Sequence, residues 1–404
     1  MKRLRFKEFL FIVPVILLIA VFSLWPVIQS FTYTFFDYRL NDQTKAGLYL
    51  SEQFNFELYD ETQMYLKMFL NEDKKLVNDP KMTKDIDLLI TKLDAVETQF
   101  EGREGVQKIN DEEKETFLTL SKEAKTVIST LTENYDTPNK ENLPLIVEDI
   151  ENSIIPSNFI GLEAYKKALS DNRLQTALVN TFVFTIVSVF LELILGLALA
   201  LIMNKAIIGQ GLIRTTSLIP WAIPTAVAAL MWSYLYDGSS GIVAHLFEMM
   251  GIVGDSRDLL LSGSGAMFST IIADVWKTTP YMALLLLAGL QNIPKSLYEA
   301  ASIDGANRVQ SFFQVTLPLL KPSILVALLF RTLDAFRVFD LIYVLTGGGP
   351  GGATETLSIY GYKAMFAQTN FGYGSVIVMI MFVCVALIAI VYVKILGANL
   401  MDKS

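Results

Sequence analysis

Residues 293–318 read IPKSLYEAASIDGANRVQSFFQVTLP, and this polar stretch separates two long apolar segments. Ser296 and Glu299 have the spacing of a capping box, in which each side chain bonds the backbone N–H of the other residue. We therefore expect a short helix that begins near Leu297. The carboxylate of Glu299 would then lie at the positive end of the helix dipole, which favours it.

The second half of this stretch predicts a turn followed by another helix. Asp304 and Gly305 end the first helix, because glycine tolerates the positive φ that a reversal requires. Asn307 and Gln310 repeat the capping spacing at the start of the second helix. Pro318 is expected to stop that helix and to open the next membrane span. The stretch therefore predicts a compact helix, turn, helix projection.

The projection also contains a sequence motif, which indicates one protein family more specifically than its helix and turn signals do. Glu299-Ala300-Ala301, three residues, Gly305, nine residues and then Val315-Thr316-Leu317-Pro318 resemble the EAA signature of permease subunits in binding-protein-dependent ABC importers. That family usually has isoleucine where this chain has Val315. The resemblance implies that the loop forms coupling helices that dock in a groove of a cytoplasmic ATPase. The coupling residues it implies are Glu299, Ala300, Ala301, Asp304, Gly305, Leu317 and Pro318. An ordinary cytoplasmic helical hairpin is the alternative.

Composition sets the fold class. Hydrophobic residues make up 52% of the 404 residues, and the mean hydropathy of +0.42 is too high for a water-soluble chain of this length. These values predict an all-α polytopic membrane protein. Cys384 is the only cysteine, which excludes an intrachain disulfide, and His245 is the only histidine, which excludes histidine-rich metal sites. No metal site is predicted.

The first domain, residues 1–36, is predicted to be a cytoplasmic N-terminus and a transmembrane helix. An apolar run from Phe9 to about Phe36 has no small-residue cleavage site and exceeds the roughly 20 residues that a bilayer requires. A membrane anchor therefore fits better than a removed signal peptide. Basic residues precede the run and predict a cytoplasmic N-terminus; they are Lys2, Arg3, Arg5 and Lys7.

Residues 37–171 are predicted to form an acidic extracytoplasmic insertion with a segment that leads back to the membrane. Residues 41–170 hold 26 Asp and Glu against 15 Lys and Arg. Helical spacing of apolar residues in 62–76, 84–100 and 112–131 predicts a small helical bundle, and alternating β-branched runs are too few to predict a sheet. Two roles stay open, a solvated acidic bundle and a docking surface for another extracytoplasmic protein.

Residues 172–396 are predicted to form the permease core with five further spans, six in all. These spans are about Leu174–Met203, Leu212–Tyr236, Met267–Leu290, Leu319–Leu345 and Gly372–Leu396. Lys and Arg in the connecting loops fall mainly on the side of the N-terminus, which predicts that the loop 293–318 and the tail 397–404 are cytoplasmic. The resemblance implies the type I ABC importer permease fold.

Ionisable residues inside predicted spans are costly and therefore mark possible pathway residues. The predicted spans contain Glu192, Asp274 and Lys277, as well as Arg331, Asp334, Arg337 and Asp340, which recur every three residues with alternating sign. Such pairs could hold helices together or could line a pathway for a hydroxyl-rich solute. The likeness to sugar permeases, in which the spans flanking the EAA loop supply the solute site, favours a substrate pathway at Lys277, Tyr281, Arg331 and Asp334.

The glycine run at 346–352 lacks the Gly-Lys-Ser/Thr ending of a phosphate-binding loop, so we expect an outer turn and no catalytic residues. The resemblance implies a permease subunit, not an enzyme, in the cytoplasmic (inner) membrane, with both termini cytoplasmic. Its implied substrate is a di- or oligosaccharide. The implied partners are a second homologous permease, a dimer of ATPase subunits that would carry the ATP and Mg²⁺, and an extracytoplasmic solute-binding protein. No cofactor or nucleic acid is predicted for this chain.

The sequence leaves three alternatives open. A permease for a phosphorylated polyol such as glycerol 3-phosphate would use Lys277, Arg331 or Arg337 to meet the phosphate. A proton-coupled secondary transporter would use Glu192 together with Asp274 and Asp334, although the inverted repeats common in such folds are not visible in the sequence. A membrane-tethered sensor would explain the acidic insertion but not the EAA motif or the further spans.

Overall fold

A computed structural model describes residues 6–205 and 209–401, and the side chains of residues 12–205 and 209–395. The basic side chains at the N-terminus and Lys403, which bear on the predicted orientation, lie outside the described side chains. The described chain divides into two compact units. A membrane unit contains the residues up to Thr34 and from Leu162 onward, and an insertion unit contains Phe35–Gly161.

The membrane unit is helical, and several of its helices are interrupted. Its helices are α1 (Phe6–Ile19) and α2 (Trp25–Tyr33), followed after the insertion unit by α7 (Glu163–Leu169), α8 (Asn172–Asn204), α9 (Gln210–Ser217), α10 (Ile219–Ala222), α11 (Thr225–Leu235), α12 (Ile242–Met249), α13 (Asp258–Leu261), α14 (Gly263–Gln291), α15 (Lys295–Ile303), α16 (Arg308–Ser311), α17 (Leu317–Phe336), α18 (Asp340–Leu345), α19 (Leu357–Tyr362) and α20 (Phe371–Met401). The π-helical segments are Ala20–Leu24, Phe312–Thr316 and Lys363–Ala367.

Five described helical segments are long and apolar enough to cross a membrane, and one bent pair makes up to six. The five are Ile12–Tyr33, Asn172–Asn204, Gly263–Gln291, Arg308–Phe336 and Phe371–Ile395. The span predicted at about Leu212–Tyr236 corresponds to this bent pair, and its break was not predicted. Here Gln210–Ala222 and Thr225–Leu235 meet at 88°. Pro224 causes the break, because it forces the preceding Ile223 out of helical geometry, to ψ 133°.

The span after the EAA motif also differs from the prediction at both ends. Pro318 does not separate two helices, since the helical path runs from Arg308 to Phe336. A π-helical turn at Phe312–Thr316 precedes α17, and Pro318 lies in the first turn of α17, where a missing N–H is tolerated. The predicted C-terminal limit at Leu345 was wrong too, because α17 ends at Phe336 and α18 is a separate helix.

Helix α14 is the centre of the membrane unit, where it packs against α8 and α17. Two glycines allow these close approaches. A Cβ on Gly196 of α8 would lie 2.7 Å from Met282 Cγ, and one on Gly289 of α14 would lie 2.3 Å from Ser323 Oγ. Small residues at helix crossings are typical of packing in membranes, where van der Waals contact and not the hydrophobic effect holds helices together.

The insertion unit has its own hydrophobic core. Its helices are α3 (Phe56–Lys74), α4 (Pro80–Gln99), α5 (Asp111–Asn134) and α6 (Leu143–Asn152), and its strands are β1 (Gln53–Asn55), β2 (Val106–Lys108) and β3 (Ile154–Ile155). The strands form an antiparallel sheet in the order β2, β1, β3, which the sequence did not predict because strands of two or three residues carry no alternating pattern. Phe54 of β1 stacks on Phe117 of α5 and joins the sheet to the bundle.

Candidate functional site

The projection that contains the EAA motif begins two residues earlier than predicted. Pro294 is the N-cap of α15, no side chain caps this end, and Lys295 is the first helical residue. The predicted capping box between Ser296 and Glu299 was therefore wrong. The fixed φ of Pro294 suits a helix start, so Ser296 already lies inside the first turn. The side chain of Glu299 is exposed within the helix.

The predicted turn and second cap are present. Gly305 has φ +81°, and the backbone N–H of Ala306 donates to the carbonyl of Ala301 across the turn (2.9 Å). Asn307 Oδ1 accepts from the N–H of Gln310 (2.9 Å), while Gln310 Oε1 accepts from the N–H of Asn307 (2.8 Å). This reciprocal pair confirms the capping box at the start of α16.

The projection exposes both polar and apolar side chains. Ile303 is 85% exposed, and Val309 and Phe313 are exposed as well. Glu299, Ala300 and Asp304 are exposed, Ala301 is half-buried, and at the start of α17 Leu317 is half-buried and Pro318 exposed. Tyr298 Oη lies 3.1 Å from Thr316 Oγ1 and joins α15 to the segment before α17. Exposed apolar side chains on a braced projection are typical of a surface that contacts another protein.

A second candidate site lies within the membrane unit around Arg331, whose side chain is 2% exposed. Arg331 donates through Nε and Nη2 to both carboxylate oxygens of Glu192, and the Nη2–Oε1 distance is 2.9 Å. It also donates to Asp274 and, through Nη1, to Asp334 Oδ2 at 3.1 Å. Thr278 Oγ1 lies 2.8 Å from Glu192 Oε1. The cluster therefore joins α8, α14 and α17.

Asp334 differs from the two other carboxylates of this cluster. Glu192 and Asp274 are buried, whereas 66% of the Asp334 side chain is exposed. Because Glu192 and Asp274 fix the guanidinium from one side, its Nη1 is directed to Asp334. Asp334 is consequently held in place while part of its carboxylate stays free to accept further hydrogen bonds.

Lys277 stabilises the break between α10 and α11, the two halves of the bent third span. Its Nζ lies 2.6 Å from the carbonyl oxygen of Ile223 and 3.4 Å from that of Trp221, at the end of α10. A helix end leaves carbonyl groups without intrahelical partners, and a lysine there provides a charged donor. Tyr281, one turn along α14 from Lys277, stacks on Trp221 with 5.6 Å between ring centroids.

These groups surround a cavity of about 510 Å³. Its ionisable lining residues are Asp274, Asp334, Asp340, Lys277, Arg331 and Arg337. Three of the four predicted pathway residues, Lys277, Arg331 and Asp334, thus line one cavity. Tyr281 is not among its lining residues but supports Trp221, which is. Donors and acceptors are balanced in this lining, and the volume is within the usual range of ligand pockets, roughly 300 to 1,000 Å³.

The predicted four-residue stripe of alternating charge is only partly present. Arg331 and Asp334 do pair along α17, but α17 ends at Phe336, so Arg337 and Asp340 do not continue its face. Arg337 Nε donates to the carbonyl of Leu333. The sequence drew attention to Glu192 as a charge within a span, but its pairing with Arg331, 139 positions away, carries no local signal.

A third group of charges surrounds the glycine run, which forms the turn that was predicted. Gly347, Gly348, Gly351 and Gly352 all have positive φ. Glu355 accepts hydrogen bonds from Arg173 (2.7 Å to Nε) and Lys363 (2.9 Å). Burial disfavours the charged form of Glu355, but these hydrogen bonds and charges outweigh burial and lower its pKa. No sequence pattern marks this cluster, since its members lie in different elements.

The fold and these sites define a polytopic helical membrane transporter component. Residues 192–400 match the family described as "Binding-protein-dependent transport system inner membrane component", and the chain belongs to this family. The "Trehalose/maltose transport system permease protein MalF" of Thermococcus litoralis is 48% identical over 59% of this chain and 79% of its own length. The "Trehalose transport system permease protein SugA" of Mycobacterium tuberculosis is 48% identical over 59% of this chain and 76% of its own.

Solved structures show the same fold. A bacterial ABC transporter that imports the acidic polysaccharide alginate aligns with a TM-score of 0.54 at 21% identity, over 59% of this chain and 84% of that chain. A second structure shows an alginate ABC transporter in complex with an alginate pentasaccharide-bound periplasmic protein. It aligns with a TM-score of 0.52 at 22% identity, over 58% of this chain and 81% of that chain.

Family membership settles the class of function. The chain is a membrane permease component of a binding-protein-dependent transport system and not an enzyme. The alternatives of a proton-coupled secondary transporter and of a tethered sensor were wrong, because the family match covers the EAA loop and the spans that follow it. The recognition of the family from residues 299–318 is confirmed.

Proposed function

We propose that this permease imports a di- or oligosaccharide delivered by a solute-binding protein, through a pathway formed with a second, homologous permease. The observation that carries the proposal is the cavity in which Asp334, Lys277 and Arg331 meet. Its lining holds three acidic and three basic side chains, so little net charge is left for an ionic solute. Neutral hydroxyl groups, which both donate and accept, suit such a lining.

The named relatives support a carbohydrate. Two of them are trehalose or trehalose/maltose permeases, and the "Sulfoquinovosyl glycerol transport system permease protein SmoG" of Agrobacterium fabrum is 40% identical over 60% of this chain and 78% of its own length. Each of these solutes bears several hydroxyl groups. In this chain the Asp334 carboxylate, which is only partly engaged by Arg331, would accept hydrogen bonds from solute hydroxyls. Trp221, which stacks on Tyr281, would offer a flat apolar face to the solute.

A phosphorylated polyol is the second candidate. The "sn-glycerol-3-phosphate transport system permease protein UgpA" of Agrobacterium fabrum is 37% identical over 54% of this chain and 74% of its own length. A phosphate requires cationic donors that are free to turn toward it. Arg331 is surrounded by three carboxylates and Lys277 donates to backbone carbonyls, which leaves a phosphate dependent on Arg337, whose Nε donates to the carbonyl of Leu333. With two of its three cations engaged in this way, the cavity favours a neutral solute.

The coupling loop, residues 293–318, would couple ATP hydrolysis on the ATPase to conformational changes around this cavity. We assign Glu299, Ala300, Ala301, Asp304, Gly305, Leu317 and Pro318 to contact with an ATPase dimer that carries the ATP and Mg²⁺. The exposed Ile303 and Val309 supply apolar contact area on the same projection. This function requires the loop and both termini to be cytoplasmic and residues 37–171 to be extracytoplasmic. The insertion would then face the solute-binding protein or the partner permease.

Transport by the reconstituted complex tests the substrate. The permease, its partner permease, the ATPase and the binding protein would be assembled in proteoliposomes that contain ATP. Uptake of radiolabelled maltose and trehalose would be compared with uptake of glycerol 3-phosphate. We expect ATP-dependent uptake of a neutral sugar that falls at least tenfold in Asp334→Ala. Uptake of glycerol 3-phosphate without uptake of either sugar would make the phosphorylated polyol the favoured substrate.

A further inference from the structure

The insertion unit contains a cavity of about 520 Å³ that belongs to neither site above. One wall is a single face of α3, which contributes Tyr59, Gln63 and Lys67. The other wall is the end of α4 and the turn that follows, with Phe100 and Arg103. The family match begins at residue 192, so nothing in that match assigns a role to this cavity.

Two buried polar side chains in this cavity lack partners among the described residues. Tyr59 is 1% exposed and Gln63 is 2% exposed, yet neither Tyr59 Oη nor Gln63 Oε1 has a hydrogen-bond partner. Gln63 Nε2 is occupied, because it donates to Asp60 Oδ1 at 3.2 Å. An unsatisfied buried polar group costs about 1 to 3 kcal/mol. A pair of such groups on one wall therefore indicates a partner that the protein chain itself does not supply.

The charges around the cavity select the chemistry of that partner. The acidic lining residues Asp60, Glu97 and Glu101 outnumber the basic ones, Lys67 and Arg103. Lys67 is held by Asp94 and Glu97, and Arg103 donates to Glu113 while its guanidinium lies over the ring of Phe56. Burial, together with the charges of Glu97 and Glu104, raises the pKa of Asp60. An anionic ligand is therefore disfavoured.

A metal ion is disfavoured as well, because the described residues contain no group of three or more His, Cys, Asp or Glu placed to hold one. Two cationic side chains also line the cavity. The remaining lining combines acceptors in Gln63 and Asp60, a hydroxyl in Tyr59 that both donates and accepts, and the aromatic side chain of Phe100. This combination matches a polyhydroxylated ring.

We propose that this cavity binds a neutral, hydroxyl-rich solute such as a mono- or disaccharide, whose hydroxyls complete the bonding of Tyr59 Oη and Gln63 Oε1. Because Tyr59 Oη and Gln63 Oε1 are buried, a ligand reaches them only when the lining shifts, and the exposed, flexible side chain of Met64 is a lining residue that can move in this way. The insertion unit is thus a second solute-binding element of the permease. This cavity lies entirely within the insertion unit, so its ligand need not be the solute that is transported.

The test is equilibrium binding to the full-length protein in detergent micelles. Saturation-transfer NMR and calorimetry would use maltose as the neutral probe and glucose 6-phosphate as an anionic probe. Tyr59→Phe and Gln63→Met each remove one unpartnered polar group with little change of shape. We expect each variant to weaken maltose binding about three- to tenfold, the value of one neutral hydrogen bond, and the double variant to weaken it more. Glucose 6-phosphate should bind more weakly than maltose.

Matched controls locate the binding site. Tyr65→Phe and Gln99→Met make the same chemical changes at exposed positions outside the cavity lining and should leave binding unchanged. Made in an Asp334→Ala background, the substitutions Tyr59→Phe/Gln63→Met should weaken maltose binding by the same factor as in the wild-type background, so the two proposals can fail separately. Thermal unfolding should show that Tyr59→Phe is folded, since it removes an unsatisfied group. Unchanged maltose binding in the Tyr59→Phe/Gln63→Met variant would overturn the proposal.

Discussion

Arg331 and Glu192, which are 139 positions apart in the sequence, are joined by two hydrogen bonds, with 2.9 Å between Nη2 and Oε1. Both side chains are buried. The pair joins α8 to α17 beside the cavity that we assign to the solute, and it fixes the guanidinium so that Nη1 reaches Asp334. The cluster around Arg331 therefore has a structural part in Glu192 and a part that faces the cavity in Asp334.

Removing Glu192 should damage folding more than removing Asp334. Breaking a buried ion pair by deleting one partner typically costs about 3 to 5 kcal/mol. In Glu192→Ala the guanidinium of Arg331 keeps Asp274 and Asp334 but loses both of its buried hydrogen bonds to Glu192. We expect Glu192→Ala to lower the yield of monodisperse permease strongly. Asp334→Ala should insert and purify normally but transport poorly. Size-exclusion profiles and uptake assays on both variants check this, and equal yields would contradict the assigned division of roles.

The double variant Glu192→Met/Arg331→Met separates structure from function further. An apolar pair of similar size removes both charges, which is often less destabilising than removal of one. Removal of Arg331 leaves the buried Asp274 without its cation, so the comparison is with Arg331→Met alone, which leaves both Glu192 and Asp274 unpaired; we expect the yield of the double variant to exceed that of Arg331→Met. Its transport should stay low, because Asp334 has lost the group that positions it. Full transport would show that Arg331 is not needed at the cavity.

Lys277→Met should weaken the geometry of the broken third span. Lys277 donates to the carbonyls at the end of α10, and hydrogen bonds to charged groups are worth about 1.5 to 3 kcal/mol. We expect impaired uptake together with faster proteolysis near residues 219–224. Lys277→Arg, which keeps a cationic donor, is the matched control. A proteolysis pattern like that of the wild type in Lys277→Met would contradict the proposed bracing role.

The Glu355 cluster predicts a specific sensitivity to acid. Its pKa in the folded protein is lowered from the ordinary value of 4.5, so its stabilising contribution is present above about pH 4.5. That contribution is lost as the pH falls through the lowered pKa. We expect Glu355→Gln to destabilise the protein at pH 7 and to flatten the dependence of its unfolding temperature on pH below 4.5. Glu163→Gln, at an exposed position, should reproduce the wild-type profile.

The sequence predicted best what depends on neighbouring residues. The EAA spacing, the positive φ of Gly305 and the cap formed by Asn307 and Gln310 are local and were correct. The cap at Ser296 failed for a local reason as well, since Pro294 offered an earlier start to the same helix. Two competing start signals within three residues leave the exact boundary undetermined by spacing alone.

Tertiary pairing was beyond the sequence. Hydropathy indicated the spans but not the 88° break at Pro224, because Gln210–Leu235 is apolar on both sides of it. The three-residue period suggested that Arg331 pairs along its own helix, whereas two of its three carboxylate partners come from α8 and α14. The packing of α8, α14 and α17 brings these charges together, with Gly196 at the contact between α8 and α14.

Gly305→Val should impair coupling without unfolding the spans. Gly305 has φ +81°, a conformation that a β-branched residue adopts only with strain, while no described heavy atom lies within 4 Å of a Cβ added there. The effect would therefore come from the turn and not from a clash. Gly305→Asn, which tolerates this conformation, should retain most of the uptake. Equal uptake by the two variants would show that the shape of the turn is unimportant.

The most direct measurement of the central claim is copurification of the ATPase with Glu299→Lys, paired with uptake in membrane vesicles. Glu299 is exposed and caps nothing, so its reversal should leave the spans intact and act on the contact with the partner. Glu163→Lys, also exposed, is the control. We predict reduced retention of the ATPase or, if the complex forms, ATP hydrolysis without uptake. Wild-type retention together with wild-type uptake would contradict the assignment of residues 293–318 as the coupling element.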